Sequence, residues 1–150
     1  MPGDDPTAVA ADAQAAVVTG AASGIGRATA LALARRGLAV AAVDRDGEGL
    51  RRTAEEGTSG GATIEGFGVD VADAGAVGAL ARAVGDRFGA PRVVINCAGW
   101  DETRAFVETD RRFWERVVAI NLMGVIAVTH AFLAAMIERG RGGQIGRAHV

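Results

Sequence analysis

Short apolar runs alternate along this chain with longer stretches in which small apolar and polar positions mix. Ala15 to Thr19 is a β-favouring run. It is followed by the glycine-rich turn Gly20-Ala21-Ala22-Ser23-Gly24-Ile25-Gly26, and then by Arg27 to Arg36, whose Ala and Leu content and closing Gly37 predict a helix with a C′ glycine. Leu38 to Val43 repeats the apolar run and ends at Asp44, Glu48 to Glu56 reads as a polar helix, and Ala62 to Val69 is a third strand ending at Asp70. Asp73 is placed to cap a helix through Phe88, and Arg92 to Ile95 is a fourth buried strand that stops at Asn96-Cys97-Ala98-Gly99. Strands alternating with helices of this length predict right-handed crossovers and an α/β fold, a doubly wound parallel sheet with helices on both faces.

One segment departs from the alternation. Val117 to Ile137 runs 21 residues without a formal charge, long enough to span a bilayer. Asn121, Thr129 and His130 are costly facing lipid, so a helix buried between the sheet and a partner subunit is the favoured reading, with His130 a partly buried packing residue. With 150 residues, 49% of them hydrophobic and 23% charged, the chain is sized for one cored domain. Residues 1–14 read as a flexible leader and 15–144 as the domain. A formal charge of -2 gives no basic field for nucleic acid or an anionic membrane, and neither is expected as a partner. The single Cys97 forms no internal disulfide and Met1 to Gln14 has no basic region before an apolar stretch, so a cytoplasmic location is expected. No second ligand stands at metal-binding spacing from His130, and no metal is expected.

The candidate chemistry begins at the first turn. Gly20, Gly24 and Gly26 lie between a predicted strand and a predicted helix, where a backbone can approach a pyrophosphate and a helix N-terminus can face it. Asp44 ends the next strand 24 residues after Gly20, near the spacing at which a carboxylate accepts hydrogen bonds from an adenosine ribose. Thr19-Gly20-Ala21-Ala22-Ser23-Gly24-Ile25-Gly26 resembles the Thr-Gly-x-x-x-Gly-x-Gly signature of the short-chain dehydrogenase/reductase family. Asp70-Val71 is similar to the family's Asp-Val after the third strand, and Asn96-Cys97-Ala98-Gly99 to its Asn-Asn-Ala-Gly, with Cys97 in place of the second Asn.

The resemblance implies a Rossmann-like fold, truncated after the fourth strand and its following helix, and a nicotinamide cofactor. Gly20, Ser23, Gly24, Ile25 and Gly26 would hold its phosphates, Asp44 its ribose, Asp70 and Val71 its adenine, and Asn96, Ala98 and Gly99 would border the nicotinamide side. Asp44 favours NAD, because a carboxylate bonds the 2′-hydroxyl and repels the 2′-phosphate of NADP. Arg45 keeps NADP as the lesser alternative, although an Arg between Asp44 and Asp46 is more simply a surface charge in local ion pairs. Cys97 reads as buried and inert. Asn121 needs hydrogen-bond partners inside an apolar helix, and the resemblance implies a catalytic role for it, distorting the helix and holding a water in the proton relay.

The rest of that relay is absent, since all 16 basic residues are Arg and there is no Tyr, whereas the family works with a Ser, a Tyr and a Lys beyond the fourth strand. The chain is therefore expected to be inactive by itself. After Gln144 the likeness stops: Ile145 to Val150 matches one frame of a widely used sequencing adapter, ATC GGA AGA GCA CAC GTC. Residues 145–150 are expected to be adapter read-through, with a naturally truncated gene as the alternative and with the fourth strand left as an open edge. Trp100-Asp101, Phe113-Trp114-Glu115-Arg116 and Ala119-Ile120-Asn121-Leu122 resemble 2-hydroxycyclohexanecarboxyl-CoA dehydrogenases. That likeness implies a small-molecule alcohol or ketone, with an acyl-CoA as candidate substrate and a general 3-oxoacyl reductase as alternative. The full-length form is expected to be a homodimer or homotetramer, and a non-catalytic dinucleotide-binding or interaction module remains the other class of function. Resequencing the source DNA across the Gln144 codon is expected to show a frame continuing into Val-Asn-x-x-Ser and then Tyr-x-x-x-Lys; a confirmed stop after Val150 would refute the read-through.

Overall fold

Side-chain alternation along the central strands decides the architecture, because the strands are apolar on both faces and each face needs its own cover. A computed structural model describes residues 14–140 and 144–147. Strands β1 (Ala15–Thr19), β2 (Ala39–Asp44), β3 (Ile64–Gly68), β4 (Val93–Asn96) and β5 (Gln144–Arg147) form one parallel sheet in the order β3-β2-β1-β4-β5. Helices α1 (Gly24–Arg35) and α2 (Gly47–Ser59) cover one face, where Ala30, Leu31, Ala34 and Leu50 pack with Ala16, Val18, Val40 and Ala42. Helices α3 (Ala74–Phe88) and α5 (Val125–Glu138) cover the other, where Val77, Leu80, Val84, Val128 and Phe132 pack with Val17, Ala41, Val43 and Val94. The alanines of β1 and β2 leave room for the helices to sit close to the sheet.

The helix starts follow their caps. Asp46 accepts from Gly49 N–H, Asp73 from Ala76 N–H and Asp110 from Phe113 N–H, at 3.1, 3.0 and 2.9 Å. Each such cap is worth about 1 kcal/mol. Helix α1 begins at Gly24 rather than Arg27, because the last glycines of the turn form its first turn with Ser23 as N-cap.

Two expectations change. The sheet does not stop at the fourth strand: Gln144–Arg147 pairs in parallel with Val93–Asn96, so the N–H and C=O groups on that edge of β4 find partners instead of lying open. The long apolar segment is also less enclosed than expected. It lies within a single helical run, Arg111 to Glu138, made of α4 (Arg111–Val118), a π-helical segment (Ala119–Gly124) and α5. Val128, Phe132 and Met136, at helical spacing, meet the sheet. Leu122, Ile126 and Ile137 on other faces are 54, 50 and 67% exposed, and His130 is exposed rather than partly buried. A helix laid on a sheet buries one stripe only, and this one is apolar all round. Residues 1–13 of the leader expected over 1–14, and residues 148–150 of the expected read-through, lie outside the described residues.

Gly26 shows how tight the β1–α1 junction is, since a Cβ there would lie 2.1 Å from the Gly20 carbonyl oxygen. Gly26→Ala is therefore expected to cost at least about 3 kcal/mol, the upper range for overpacking. Gly24→Ala, with φ of +52° and open space around it, should cost only the roughly 1–2 kcal/mol of a left-handed alanine. Urea unfolding of the two variants measures the difference, and equal midpoints would contradict it.

Candidate functional site

The crevice forms where the chain leaves β1 in one direction and β4 in the other, a switch point of the sheet. At the end of β1 the buried Thr19 hydroxyl accepts hydrogen bonds from the N–H groups of Cys97 and Ala98, at 3.2 and 3.0 Å, tying the loop after β4 to the turn after β1. Gly20 then adopts φ of +68°, and a Cβ on it would sit 2.8 Å from Ala98 N and from the Cys97 carbonyl group. Only glycine satisfies both demands. The turn is braced from behind as well: Ala21 N–H donates to Val43 O, and the fully buried Thr53 hydroxyl of α2 donates to Ala21 O at 2.9 Å.

This bracing aims the start of α1 into a cleft of about 300 Å³. Gly20, Ser23, Gly24, Ile25 and Gly26 line it on one side. Ser23 is the N-cap, yet its side chain makes no capping bond and is exposed. The first-turn N–H groups of a helix lack intrahelical acceptors, and the helix dipole adds positive potential there, so this wall suits an anion.

Asp44 stands at the rim, half-buried, with one carboxylate oxygen accepting from Ala22 N–H at 3.1 Å and the other from Asp46 N–H at 3.0 Å. Each oxygen keeps acceptor capacity for a further donor. Arg45 lines the same cleft and makes no ion pair with Asp44 or Asp46 among the described residues, which corrects the expectation that it is absorbed in local pairs. Both acids have turned to backbone N–H groups instead. Asp70 and Val71 line the cleft beyond Asp44, and Asp70 is shaped by an Asx turn to Ala72 N–H at 2.9 Å.

On the β4 side, Ala98, Gly99, Trp100 and Ile120 complete the lining together with Cys97. Cys97 is half-buried on this wall rather than sealed in the core. Asn96 is not on the wall: it is 2% exposed inside the sheet, and its Nδ2 has no hydrogen-bond partner among the described residues. Asn121 is also off the wall, but acts on it. Its Oδ1 accepts from Trp100 N–H at 2.9 Å and its Nδ2 donates to Trp100 O at 2.7 Å, so one amide closes both polar groups of a single loop residue. A Cβ on Gly99 would lie 3.1 Å from the Asn121 Oδ1. The π-helical segment places Asn121 here, and Gly124 within it admits Val71, whose Cγ2 would be 2.8 Å from a Cβ.

Sequence reading brought together most of these residues through the glycine spacing and the acids at strand ends. It missed Thr19 and Thr53 as braces, since a threonine in a strand or helix carries no mark of a long-range hydrogen bond. Asn121→Leu removes the clamp without removing bulk. It is expected to cost about 2 kcal/mol, two hydrogen bonds lost from a partly buried site, and to speed amide exchange at Trp100; unchanged exchange would show that the clamp does not order the loop.

Comparison with known proteins agrees with this geometry. A family model described as short chain dehydrogenase matches residues 14–145. The chain is 42% identical over 128 residues to a probable oxidoreductase EphD of Mycobacterium tuberculosis, covering 85% of this chain and 22% of that protein. It is 39% identical over 139 residues to a (3R)-3-hydroxyacyl-CoA dehydrogenase of Canis lupus familiaris, covering 87% of this chain and 53% of that one. A crystal structure of an actinorhodin polyketide ketoreductase variant with NADPH superposes with a TM-score of 0.86 at 40% identity, over 91% of this chain and 52% of the other. The chain thus spans about half the length of the latter two proteins and less than a quarter of the first.

Proposed function

Because the chain belongs to the short-chain dehydrogenase family, we propose that it is the dinucleotide-binding part of an NAD-dependent oxidoreductase that interconverts an alcohol and a ketone. The observation that carries this reading is the convergence of the glycine turn and Asp44 on one cleft. The cleft fits the cofactor: the Gly20 and Gly26 positions cannot hold a Cβ, and Gly24 opens to free space at the helix N-terminus, where a pyrophosphate would lie. Asp44 would accept from the adenosine ribose, Asp70 and Val71 would border the adenine, and Ala98 and Gly99 the nicotinamide side. When bound, the dinucleotide supplies the redox chemistry, exchange of hydride with the carbon that bears the oxygen.

The chain's own residues bind and orient. Asn121 positions the loop at Trp100 and, in this reading, supports the proton relay. The family's proton-transferring Tyr and Lys are not within the 150 residues, which contain no Tyr and no Lys. This chain alone is thus proposed to bind dinucleotide without turnover, the behaviour of the alternative, a non-catalytic dinucleotide-binding or interaction module. A hydroxyacyl-CoA is the proposed substrate class, supported by the similar hydroxyacyl-CoA dehydrogenase. The exposed apolar face of α5 supports assembly of the full-length protein as a homodimer or homotetramer, and a cytoplasmic setting without nucleic acid or membrane accords with the chain's charge.

A second reading of the cofactor rests on Arg45, a cleft residue beside Asp44 without an ion pair among the described residues. It is suited to a 2′-phosphate, and the superposing ketoreductase is a complex with NADPH. Fluorescence titration separates the two. NADH is expected to bind roughly tenfold more tightly than NADPH, and Asp44→Ala to weaken NADH by about tenfold, the worth of one charge-assisted hydrogen bond. Tighter binding of NADPH, abolished by Arg45→Gln, would replace NAD by NADP.

A further inference from the structure

The loop after β4 carries a side-chain cluster that dinucleotide binding does not use. Trp100 lines the cleft, and its backbone is held at both polar groups by Asn121. Its ring is held separately: the Arg116 guanidinium carbon lies 3.8 Å from the indole centroid, and the Phe113 ring meets it edge-on at 5.3 Å. A tryptophan fixed at backbone and ring has little freedom left to lose, so a ligand that packs on it is not penalised by ordering.

The charges around this ring are unevenly partnered. Glu102 pairs with Arg104 and Glu115 with Arg111, while Arg116 has no carboxylate partner among the described residues. Arg104 adds a second cation over the Phe113 ring, at 5.8 Å. Asp101, the next acid along the loop, is exposed and accepts from Glu102 N–H. A guanidinium stacked on an indole keeps its N–H donors at the edge, where they match a planar or tetrahedral anion.

We propose that Trp100 on the cleft wall, with Arg116 stacked on its indole behind it, recognises substrate and selects an alcohol or ketone that carries a carboxylate or phosphate group. Its carbon skeleton packs on the indole and its anion takes the guanidinium edge. The assignment to substrate rests on the oxidoreductase reading; the wall itself rests on the side chains just described. Arg116 has two roles here, binding the anion and positioning the indole.

The test uses the full chain with Trp114→Phe, which leaves Trp100 as the one tryptophan of the two. Cyclohexanecarboxylate, cyclohexyl phosphate and the neutral cyclohexanecarboxamide are titrated against its emission. The anions are expected to act at concentrations roughly fivefold lower than the amide, as for a screened charge pair, and the advantage should shrink at about 1 M salt. The tighter of the two anions identifies the group. Arg116→Gln should erase the advantage and Arg116→Lys should keep the part due to charge, which guards against a Gln variant that fails to fold. Equal action of the amide, no response to any probe, or an intact preference in Arg116→Gln would overturn the proposal. NADH titration of the same samples is read separately, so that failure to bind NADH with the anion preference intact removes the dinucleotide reading and leaves the wall.

Discussion

The structure depends on one close approach, that of the Gly20 backbone to the peptide between Cys97 and Ala98. Two strands that run in parallel must splay at their ends unless something holds the loops above them together. Here the Thr19 hydroxyl takes both N–H groups of the opposing loop, and the missing side chain at position 20 lets the peptides touch. From that contact the turn is directed over the sheet, α1 starts at Gly24, and its N-terminus faces the cleft. A side chain at position 20 would lift the turn and tilt the helix, and the N-terminus of α1 would no longer face Asp44 across the cleft.

Much of this was legible in the sequence because it rests on local rules. Strand existence followed from apolar runs, the turn from glycine spacing, the start of α3 from Asp73, and the rim acid from its place at the end of β2. These signals lie within a few residues of what they specify. The boundary of α1 was read three residues late, because glycines count against a helix interior but are tolerated in its first turn, where their N–H groups are unbonded in any case.

What escaped the sequence depends on distance along the chain. Thr53 braces Ala21 from 32 residues away, and Asn121 clamps Trp100 across 21. That Arg45 does not pair with Asp44 or Asp46 follows from the competing attraction of backbone N–H groups for both acids, which neighbours in sequence do not reveal. The fifth strand was missed for a different reason. Gln144–Arg147 has little apolar pattern of its own, and it takes strand form because β4 offers an unpaired edge, a tertiary demand rather than a local preference.

The helical run from Arg111 to Glu138 joins the two halves of the site. A regular α-helix over its whole length would turn Asn121 and Gly124 to fixed angles relative to Phe132 and Met136. The π-helical segment, with more residues per turn than an α-helix, changes that angular phase between α4 and α5, so that one stretch can meet Trp100 and Val71 while the next keeps its stripe on the sheet. The same geometry brings Phe113 and Arg116 of α4 against the indole. Cleft shape and core packing are therefore coupled through a single helix. A substitution that regularised the π-helical segment would shift the Trp100 wall without touching a residue that lines the glycine turn.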